Sequence, residues 1–479
     1  MFKNTGDYIE SYNPATKDYL GRVRITSENE IEEMVNKCKK AFLVWKTYSY
    51  KERANCMIKL ADYLERNKDA LSVLMTQEMG RPLSESIPEV TKSCKFIRHY
   101  AENTEKMLEE QSITGVANKQ VKLVYEPYGV VALIKPWNMS LQTPIWAMAP
   151  ALMSGNAIIL KASENTLLVA KELEKAILSC DFPKDLVAFV YGDKTQGEFL
   201  VSQSIDMISF TGSVAAGKAI AQKASDRFIK TSLELGGKDA MIVLDDANLD
   251  FAAMAAVWGS TTNCGQFCSS IERIYVQDTI FDVFVEKCVH LCESINVGDG
   301  LTEGVEMGPV VNEIQYNKIL SQISDAVNKG ADILCGGRSN DPKMLNGWFI
   351  KPTVLINLTH EMEIMKTETF GPILKIMKFS SVNEAIELAN DSEYGLGFSV
   401  ITQNSSIAEE ISKKIEAGMI WINEPLLSNE NCPWIPTKNS GLGYELGELG
   451  LKEFVKVKLI SAQYENNDTF RSWWYMRKH

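Results

Sequence analysis

The stretch TNCGQFCSSIER, residues 262–273, sets Cys264 and Cys268 four positions apart around a Gly-Gln pair. Thiols spaced in this way can hold a metal ion, exchange as a redox pair, pack in a core or supply a nucleophile. The chain has ten cysteines and no secretory features, so we interpret them as reduced thiols rather than as a disulfide framework. The remaining question is which of these two thiols does chemistry.

A metal site would combine this pair with Cys288 and Cys292, which repeat the same spacing. Zinc ribbons and fingers present their thiols as C-x2-C on tight knuckles. Here the two pairs are separated by a strand-like IYV and a helix-like segment, with no turn residues at the ligands. We therefore expect no metal, and we predict that Cys288 and Cys292 share a core-facing helix face with Phe284.

A nucleophile needs a base and donors for the developing oxyanion. No histidine lies in a Gly- or Pro-punctuated motif, which argues against a Cys-His dyad: His99, His290, His360 and His479. The other candidate base is Glu234 in LELGGKDAMIV, which precedes Gly236 and Gly237, where the backbone can approach a ligand closely. Taken alone, a surface acid at the end of a strand is the simpler interpretation of Glu234.

The elements that must position these residues follow a regular order. The first hundred residues are predicted to be helical, because apolar residues recur at helical spacing in ENEIEEMVNKCKKAFLVW. From Val121 onward, short apolar runs alternate with helix-length segments, which predicts a doubly wound α/β sheet of parallel strands. The predicted strands are 130–134, 157–160, 186–191 and 207–210, followed in a second α/β region, about 235–423, by 274–276, 333–335 and 373–377.

Seven short motifs occur in register along this framework: PWNMS (136–140), LKASE (160–164), FTGS (210–213), LELGGK (233–238), GQFC (265–268), ETFGP (368–372) and KNSGLGYELG (438–447). With them, the chain resembles the NAD(P)-dependent aldehyde dehydrogenase superfamily from about Pro14 to Ile460. It has features of both succinate-semialdehyde-like and betaine-aldehyde-like members. The resemblance implies a Rossmann-type cofactor domain, an α/β catalytic domain and a β oligomerisation arm.

The domain boundaries expected from this resemblance divide the chain into seven segments. They are 1–110, the N-terminal helical part of the cofactor-binding domain; 111–130, the first part of the oligomerisation arm; 131–235, the dinucleotide-binding domain; 236–425, the catalytic domain; 426–450, a return to the cofactor domain; 451–465, the second part of the arm; and 466–479, a tail. LKEFVKVKLI (451–460) is predicted to be a strand that joins a partner subunit's sheet, in a homodimer or homotetramer. The aromatic and basic tail is expected to dock on its own fold or on a partner rather than on a membrane.

The resemblance also assigns catalytic roles. It makes Cys268 the nucleophile, Cys264 a neighbour, Glu234 the general base and Asn138 the oxyanion donor. The Cys268 thiolate would add to an aldehyde, and oxidation of the thiohemiacetal would leave a thioester that Glu234 clears by activating water. In methylmalonate-semialdehyde relatives, which pass the acyl group to coenzyme A, this base position is typically not Glu, so a free acid is the implied product. The alternative is a structural or zinc-binding protein that retains the fold.

The expected cofactor site has no G-x-G-x-x-G motif after the first strand. Instead, Ser213 lies at a predicted helix N-terminus, where it could hold a pyrophosphate or simply cap the helix. We expect NAD to be preferred, because the Glu164 carboxylate would repel a 2′-phosphate, although Lys161 makes NADP possible. The resemblance implies these cofactor-binding residues: Pro136, Trp137, Lys161, Ser163, Glu164, Phe210, Thr211, Gly212, Ser213, Leu235, Gly236, Gln315, Lys318, Glu368 and Phe370.

The expected substrate is a small neutral or cationic aldehyde. Succinate-semialdehyde dehydrogenases typically place arginines where this chain has Trp146 and Thr262. Betaine- and aminoaldehyde dehydrogenases place tryptophans that match Trp146 and Trp434, and aromatic faces can hold an ammonium group. The expected substrate residues are Trp146, Met139, Thr262, Phe267 and Trp434. Near Trp434, the pair Ile435-Pro436 replaces two glycines of many relatives and restricts the backbone by the expected substrate tunnel.

Composition excludes several classes of partner. The 479 residues are 45% hydrophobic and 23% charged, which is typical of a globular protein. The net charge of -12 argues against a nucleic-acid partner. No apolar run approaches membrane-spanning length and the first residues lack a signal-peptide pattern, so we expect a cytoplasmic protein without membrane contact.

Overall fold

The structure, a computed structural model, describes residues 1–116, 119–339, 341–342 and 344–464. The predicted tail at 466–479 and residue 465 of the predicted arm lie outside the described residues. None of the helices in the described ranges is long and apolar enough to cross a membrane.

The chain begins with an antiparallel sheet in the order β1-β2-β3 and continues with four helices. The elements are β1 (Phe2–Asn4), β2 (Tyr8–Tyr12), β3 (Tyr19–Arg24), α1 (Glu28–Trp45), α2 (Tyr50–Arg66), α3 (Lys68–Met79) and α4 (Leu83–Met107). Helices α1 and α2 each start with a capping box, formed by Ser27 with Glu30 and by Ser49 with Glu52. The prediction that the first hundred residues are helical is therefore wrong for residues 2–24, where burial in β2 alternates with period two instead of following a helical face.

A parallel sheet in the order β10-β9-β6-β7-β8 follows two strands of an outlying arm. The elements are β4 (Gln111–Ile113), β5 (Gln120–Pro127), β6 (Val130–Ile134), α5 (Gln142–Met153), β7 (Ala157–Lys161), α6 (Leu167–Leu178), β8 (Val187–Val190), α7 (Lys194–Ser202), β9 (Met207–Thr211), α8 (Val214–Ser225) and β10 (Lys230–Glu234). Strands β6 and β7 are almost entirely buried, as expected when helices cover both faces of a parallel sheet. The four strands predicted between 130 and 210 are confirmed.

A second, seven-stranded sheet has the order β13-β14-β15-β12-β11-β17-β18 and is parallel except for the β13–β14 pair. Its region contains β11 (Asp239–Val243), α9 (Leu249–Thr261), β12 (Ile271–Gln277), α10 (Phe281–Ser294), α11 (Glu313–Asn328), β13 (Asp332–Arg338), β14 (Ile350–Ile356), α12 (Glu363–Lys366), β15 (Ile373–Phe379), α13 (Val382–Asn390), β16 (Tyr394–Gly395), β17 (Gly397–Ile401), α14 (Ser405–Lys414) and β18 (Met419–Ile422). The strands predicted at 274–276, 333–335 and 373–377 are confirmed. Cys288 and Cys292 lie in the same buried cluster as Phe284, as predicted.

The C-terminal elements add one strand to the parallel sheet that contains β10 and one strand to the arm sheet that contains β5. They are β19 (Thr437–Lys438), β20 (Gly441–Leu442), α15 (Gly447–Lys452) and β21 (Val455–Ala462). Strand β20 pairs with β10, and β21 pairs with β5 along its whole length to complete the arm sheet β21-β5-β4. The predicted strand 451–460 is thus wrong for its first residues, because Leu451 is buried in α15 and the extended chain starts only at Val455.

Candidate active site

A cavity of about 500 Å³ lies at the carboxyl ends of β6, β9 and β10, where ligands of open parallel sheets bind. Its other walls come from the segments that precede β12 and β15 and from helices α4 and α5. All but four of the predicted site residues line it: Pro136, Trp137, Asn138, Met139, Trp146, Thr211, Gly212, Ser213, Glu234, Leu235, Gly236, Thr262, Phe267, Cys268, Gln315, Lys318, Glu368, Phe370 and Trp434. The four outside the lining are Lys161, Ser163, Glu164 and Phe210.

The turn that carries Cys268 is built from backbone in the left-handed region. Asn263, Cys264 and Gly265 have φ angles of +51°, +57° and +69°. A Cβ on Gly265 would lie 2.2 Å from the carbonyl oxygen of Gly371, so the position requires glycine. Three left-handed residues in succession reverse the chain sharply between the end of α9 and the nucleophile position.

This reversal separates the environments of the cysteines. Cys264 is buried in an apolar cluster with Met307 and Val310, whereas Cys268 is half-buried and lines the cavity. Cys288 and Cys292 belong to another core. The structure therefore does not bring the four thiols of the alternative metal site together, and no group of three or more His, Cys, Asp or Glu side chains suited to a metal occurs in the part of the chain that it describes.

A hydrogen-bond network holds the nucleophile turn. The Asn263 N–H donates to both carboxylate oxygens of Glu85, at 3.1 and 3.0 Å. The Gln266 side chain donates to the Asn263 carbonyl at 3.0 Å and accepts from the Val311 N–H at 3.0 Å. The Asn263 side-chain amide donates to the carbonyl oxygen of Asn138 at 3.1 Å. The turn and the Asn138 segment are thereby fixed relative to each other.

Asn138 is buried beside the nucleophile turn. Its Nδ2 donates to the carbonyl oxygen of Gln266 at 2.9 Å. A side-chain amide has two N–H donors, so one of them remains for a ligand atom in the cavity. The amide is thus placed to donate to an oxygen near Cys268.

The second glycine of LELGGK allows the segment after Glu234 to pack directly against the backbone of Cys268. A Cβ on Gly237 would lie 2.2 Å from the carbonyl oxygen of Cys268, so no other residue fits without displacing the turn. Glu234 ends β10 just before this point and lines the same cavity.

Glu234 is a buried carboxyl group, and neither of its oxygens has a hydrogen-bond partner among the residues that the structure describes. Burial raises its pKa well above the usual range, the charge of Glu445 raises it further, and Lys135 opposes the shift. Lys135 donates to Ser209 and Thr211 and forms a buried ion pair with Glu445. A carboxyl group with a raised pKa in a cavity can exchange a proton with a ligand.

This arrangement predicts a pH effect. In Glu445→Gln, the like charge is lost and Lys135 is left without its carboxylate, so both changes favour ionised Glu234 and lower its pKa. Because the base form of Glu234 then persists to lower pH, the acidic limb of the kcat profile should move to lower pH. Steady-state rates between pH 5 and 9 measure this shift. A limb that moves to higher pH would contradict the assigned electrostatics.

The Cys268 thiol is not activated in advance. Burial raises its pKa well above the usual range, and the neighbouring carboxylates of Glu234, Asp239 and Glu368 add to the shift. Since the thiolate is the nucleophilic form, its reactive fraction grows as pH rises.

Another part of the cavity wall contains Ser213, which caps the N-terminus of α8. Its Oγ accepts from the Ala216 N–H at 3.3 Å, as predicted for a helix cap. Ser213 and Gly212 also line the cavity, so the first turn of α8 faces it. A helix N-terminus that opens into a cavity suits a phosphate group.

The segment that precedes β15 supplies a carboxylate and an aromatic ring. Glu368 accepts from the Gly237 N–H at 3.0 Å, and burial together with the charge of Glu272 raises its pKa to about 7. Phe370 has a φ of +59°, and its ring meets Trp137 edge-on with centroids 5.6 Å apart. These residues line the same cavity as Ser213 and suit a second polar group of an extended ligand.

The four predicted residues outside the lining extend the same edge of the sheet. Lys161 ends β7 and forms an ion pair with Glu164 at 3.0 Å, and the Ser163 Oγ accepts from the Asn165 N–H. Phe210 is buried at the end of β9, and a Cβ on Gly212 would lie 2.6 Å from its ring.

Two tryptophans in tilted contact, with an angle of 50° between their rings, form part of the remaining wall. The rings of Trp146 and Trp434 have centroids 5.6 Å apart, and Phe96 and Trp421 extend this aromatic group. Trp434 lines the cavity, whereas the pair Ile435-Pro436 does not. The Ile435 backbone packs closely against Gly418, where a Cβ would lie 1.9 Å from the Ile435 carbonyl oxygen.

Several lining residues were not predicted from the sequence. They come mainly from α4 and from loops distant in sequence: Arg81, Ser84, Glu85, Pro88, Glu89, Lys92, Gln142, Thr143, Trp258, Ser269, Leu426, Ser428 and Glu445. Arg81 is buried in an ion pair with Glu89, and its guanidinium lies 3.3 Å from the sulfur of Met139. Only Glu445 carried a signal, since it belongs to the KNSGLGYELG motif.

Known proteins share this fold and most of its length. The model of the Aldehyde dehydrogenase family matches residues 2–460. Peroxisomal aminoaldehyde dehydrogenase 1 of Pisum sativum is 35% identical over 477 residues, covering 98% of this chain and 94% of that protein. The NAD+ complex of an aldehyde dehydrogenase from Bacillus cereus superposes with a TM-score of 0.93 at 34% identity, covering 96% of this chain and 94% of that one. An NADP-dependent enzyme of E. coli superposes with a TM-score of 0.93 at 32% identity, covering 96% and 95%.

A match across nearly the whole chain, together with a cavity at the carboxyl ends of a parallel sheet, establishes the family. The chain belongs to the aldehyde dehydrogenase family and is an oxidoreductase that acts on aldehydes with a nicotinamide cofactor.

Proposed function

We propose that the protein oxidises an aldehyde to the free carboxylic acid, with Cys268 as nucleophile, Glu234 as general base and Asn138 as oxyanion donor. The observation that carries the proposal is the single cavity lined by the Cys268 thiol, the Asn138 amide and the unpaired carboxyl group of Glu234. A structural or zinc-binding role finds no support in the separate environments of the four cysteines.

The cavity fits a nicotinamide dinucleotide. The first turn of α8 at Ser213 would hold the diphosphate, and the ion pair of Lys161 and Glu164 would meet the adenosine ribose. Glu368 would bind the second ribose. A Cβ on Gly236 would lie 2.8 Å from the Glu368 carboxylate, so this glycine leaves the space that the carboxylate needs. When the dinucleotide is bound, its nicotinamide ring supplies the hydride acceptor.

The protein side of the reaction follows from the same residues. The Cys268 thiol releases its proton to water, the thiolate sulfur bonds to the carbonyl carbon, and the free N–H of Asn138 donates to the oxygen on which negative charge develops. After oxidation, the acyl group remains on Cys268 as a thioester. Glu234 then takes a proton from water, the water oxygen bonds to the acyl carbon, and the carbon–sulfur bond breaks to release the acid and the thiolate.

The substrate is proposed to be a neutral or cationic aldehyde. The ring faces of Trp146 and Trp434 suit an apolar or ammonium group, and the Arg81 charge is neutralised by Glu89. A panel of aldehydes should therefore give a higher kcat/KM for neutral or amino aldehydes than for succinate semialdehyde, measured by absorbance of the reduced cofactor. The opposite ranking would mean that Lys92 or Arg81 binds the distal carboxylate of an anionic substrate.

The same panel, run in parallel with NAD and with NADP, tests which cofactor the protein prefers. We expect a higher kcat/KM with NAD than with NADP, because the Glu164 carboxylate repels a 2′-phosphate, whereas its ion pair with Lys161 keeps NADP usable. In Glu164→Gln, the difference between kcat/KM with NAD and kcat/KM with NADP should become smaller. A preference for NADP in the unmodified protein would contradict the assignment.

We further propose a homodimer or homotetramer joined through the arm. Strand β21 is an edge strand whose Val457 and Leu459 are 61% and 59% exposed, which is unusual for large apolar side chains unless a partner covers them. Light scattering during size exclusion should give at least twice the 53.6 kDa of one chain. A monomer at micromolar concentration would rule out this interface.

The proposed compartment is the cytoplasm. All ten cysteines are free, and several are buried apolar residues, as expected of a protein that works where thiols stay reduced. Cell fractionation checks this expectation, and recovery of the protein with secreted markers would contradict it.

A further inference from the structure

A buried acid outside every motif contacts the segment that carries Glu368 and Phe370. Glu272, on β12, is 2% exposed. One of its oxygens accepts from the backbone N–H groups of Thr369 and Phe370, at 3.0 and 2.9 Å. The cavity-lining residues Glu368 and Phe370 therefore belong to a backbone segment that the Glu272 carboxylate binds on the side away from the cavity.

The other oxygen of Glu272 binds two buried ammonium groups. Lys238 donates to it at 2.7 Å, and Lys375 forms the second ion pair. Burial opposes ionisation of Glu272, but the two lysines outweigh burial and hold its pKa below the usual range. The carboxylate is thus charged, and charge-assisted hydrogen bonds to the two N–H groups are stronger than neutral ones.

The same segment is fixed by further contacts on its carbonyl side. Lys238 donates to the Thr367 carbonyl oxygen at 2.7 Å. The Gln315 side chain donates to the carbonyl oxygens of Thr369 and Phe370, at 2.9 and 2.8 Å. Since Phe370 has a φ of +59°, a conformation unfavourable for a bulky residue, this segment needs such restraints to keep its shape.

We propose that Glu272 is a positioning residue for the nicotinamide cofactor: it fixes the backbone of Thr369 and Phe370 so that the Glu368 carboxylate is held toward the ribose. This inference rests on the proposed role of Glu368 in cofactor binding. Glu272 itself does not line the cavity and touches no reacting atom. A misplacement of about 1 Å in such a support is sufficient to lower function substantially.

The test is Glu272→Gln, in which the side-chain NH2 group faces two ammonium groups and the hold on the two N–H groups weakens. We expect the Kd for NAD, measured by quenching of tryptophan fluorescence, and the KM for NAD to rise about tenfold or more. Hydrolysis of 4-nitrophenyl acetate without cofactor needs only the residues around Cys268 and should change less than about twofold. An unchanged Kd for NAD in a folded variant would overturn the proposal.

A double variant separates positioning from charge balance. The net charge of the buried cluster is +1, from the two lysines Lys238 and Lys375 and the one glutamate Glu272. The double variant Glu272→Gln/Lys375→Gln also has a net charge of +1, because Lys238 is then the one charged side chain of these three. This variant should fold even if the single one does not, and its Kd for NAD should still be raised about tenfold. Recovery of the original Kd would assign Glu272 to charge balance and overturn the positioning role.

Glu78→Gln is the matched control for loss of a buried carboxylate. Glu78 also accepts from two backbone N–H groups, those of Leu168 and Val169, but it does not contact the cavity segment. It should lower the midpoint of thermal unfolding without raising the Kd for NAD, and an equal rise would overturn the proposal. Failure of the unmodified protein to bind NAD would instead refute the proposed function.

Discussion

Cys268→Ala should abolish aldehyde oxidation, with kcat at least about a thousandfold below that of the unmodified protein. The reason is that the reaction loses its covalent intermediate, while the remaining donors in the cavity have no nucleophile to assist. Absorbance of the reduced cofactor measures the rate. Cys268→Ala should still bind NAD, because the α8 turn and Glu368 are unchanged, and fluorescence quenching checks this expectation.

The matched control is Cys264→Ala. Cys264 packs among apolar residues away from the cavity, so its loss should reduce stability modestly, by about 1 kcal/mol, and leave at least about half of the activity. Equal loss of activity in both variants, together with the loss of a bound metal found by elemental analysis, would revive the four-thiolate site.

The second large effect is expected from Glu234→Gln. This variant should still release about one equivalent of reduced cofactor per active site in a rapid first turnover, because the Cys268 thiolate and Asn138 are intact. The following steady-state rate should fall about 10²- to 10⁴-fold, since thioester hydrolysis loses its general base. Stopped-flow absorbance at the wavelength of the reduced cofactor resolves the two phases.

The rates of the first turnover and of the steady state together show which role Glu234 has in the reaction. An unchanged steady-state rate would remove Glu234 from the mechanism. Loss of the first turnover as well would mean that Glu234 also activates the thiol. Addition of hydroxylamine, which attacks a thioester directly, should raise the slow rate of Glu234→Gln if the acyl group accumulates on Cys268.

Much of the fold follows from local patterns. Buried parallel strands such as β6 consist of unbroken apolar runs, and amphipathic helices such as α1 repeat their apolar residues with helical spacing. The strands at 2–24 and the start of β21 at Val455 were predicted incorrectly. In these places, hydrogen-bonded pairing with neighbouring strands decides where a strand forms and where it begins, and the sequence of one strand alone does not show that pairing.

Some residues of the candidate site were likewise predictable from the sequence, and others were not. Motifs predicted the residues that follow strands, because a parallel sheet brings its carboxyl ends together at one edge. The contribution of α4, with Glu85 supporting the nucleophile turn, was not predictable, since that helix lies far away in sequence and has no motif. Glu272 was missed because no motif includes it and because its backbone partners, Thr369 and Phe370, are distant in sequence.

The sequence by itself determined which residue types stand at the ends of strands and therefore what chemistry the cavity can contain. Only the tertiary structure decided which thiol faces that cavity, because the left-handed turn at Asn263, Cys264 and Gly265 sends one cysteine into a core and the other toward the ligand. It also decided the electrostatics, because the pKa of Glu234 depends on burial and on Glu445, which is distant in sequence. Charges and hydrogen bonds act over a few ångströms in space, and folding alone brings such distant residues within that range.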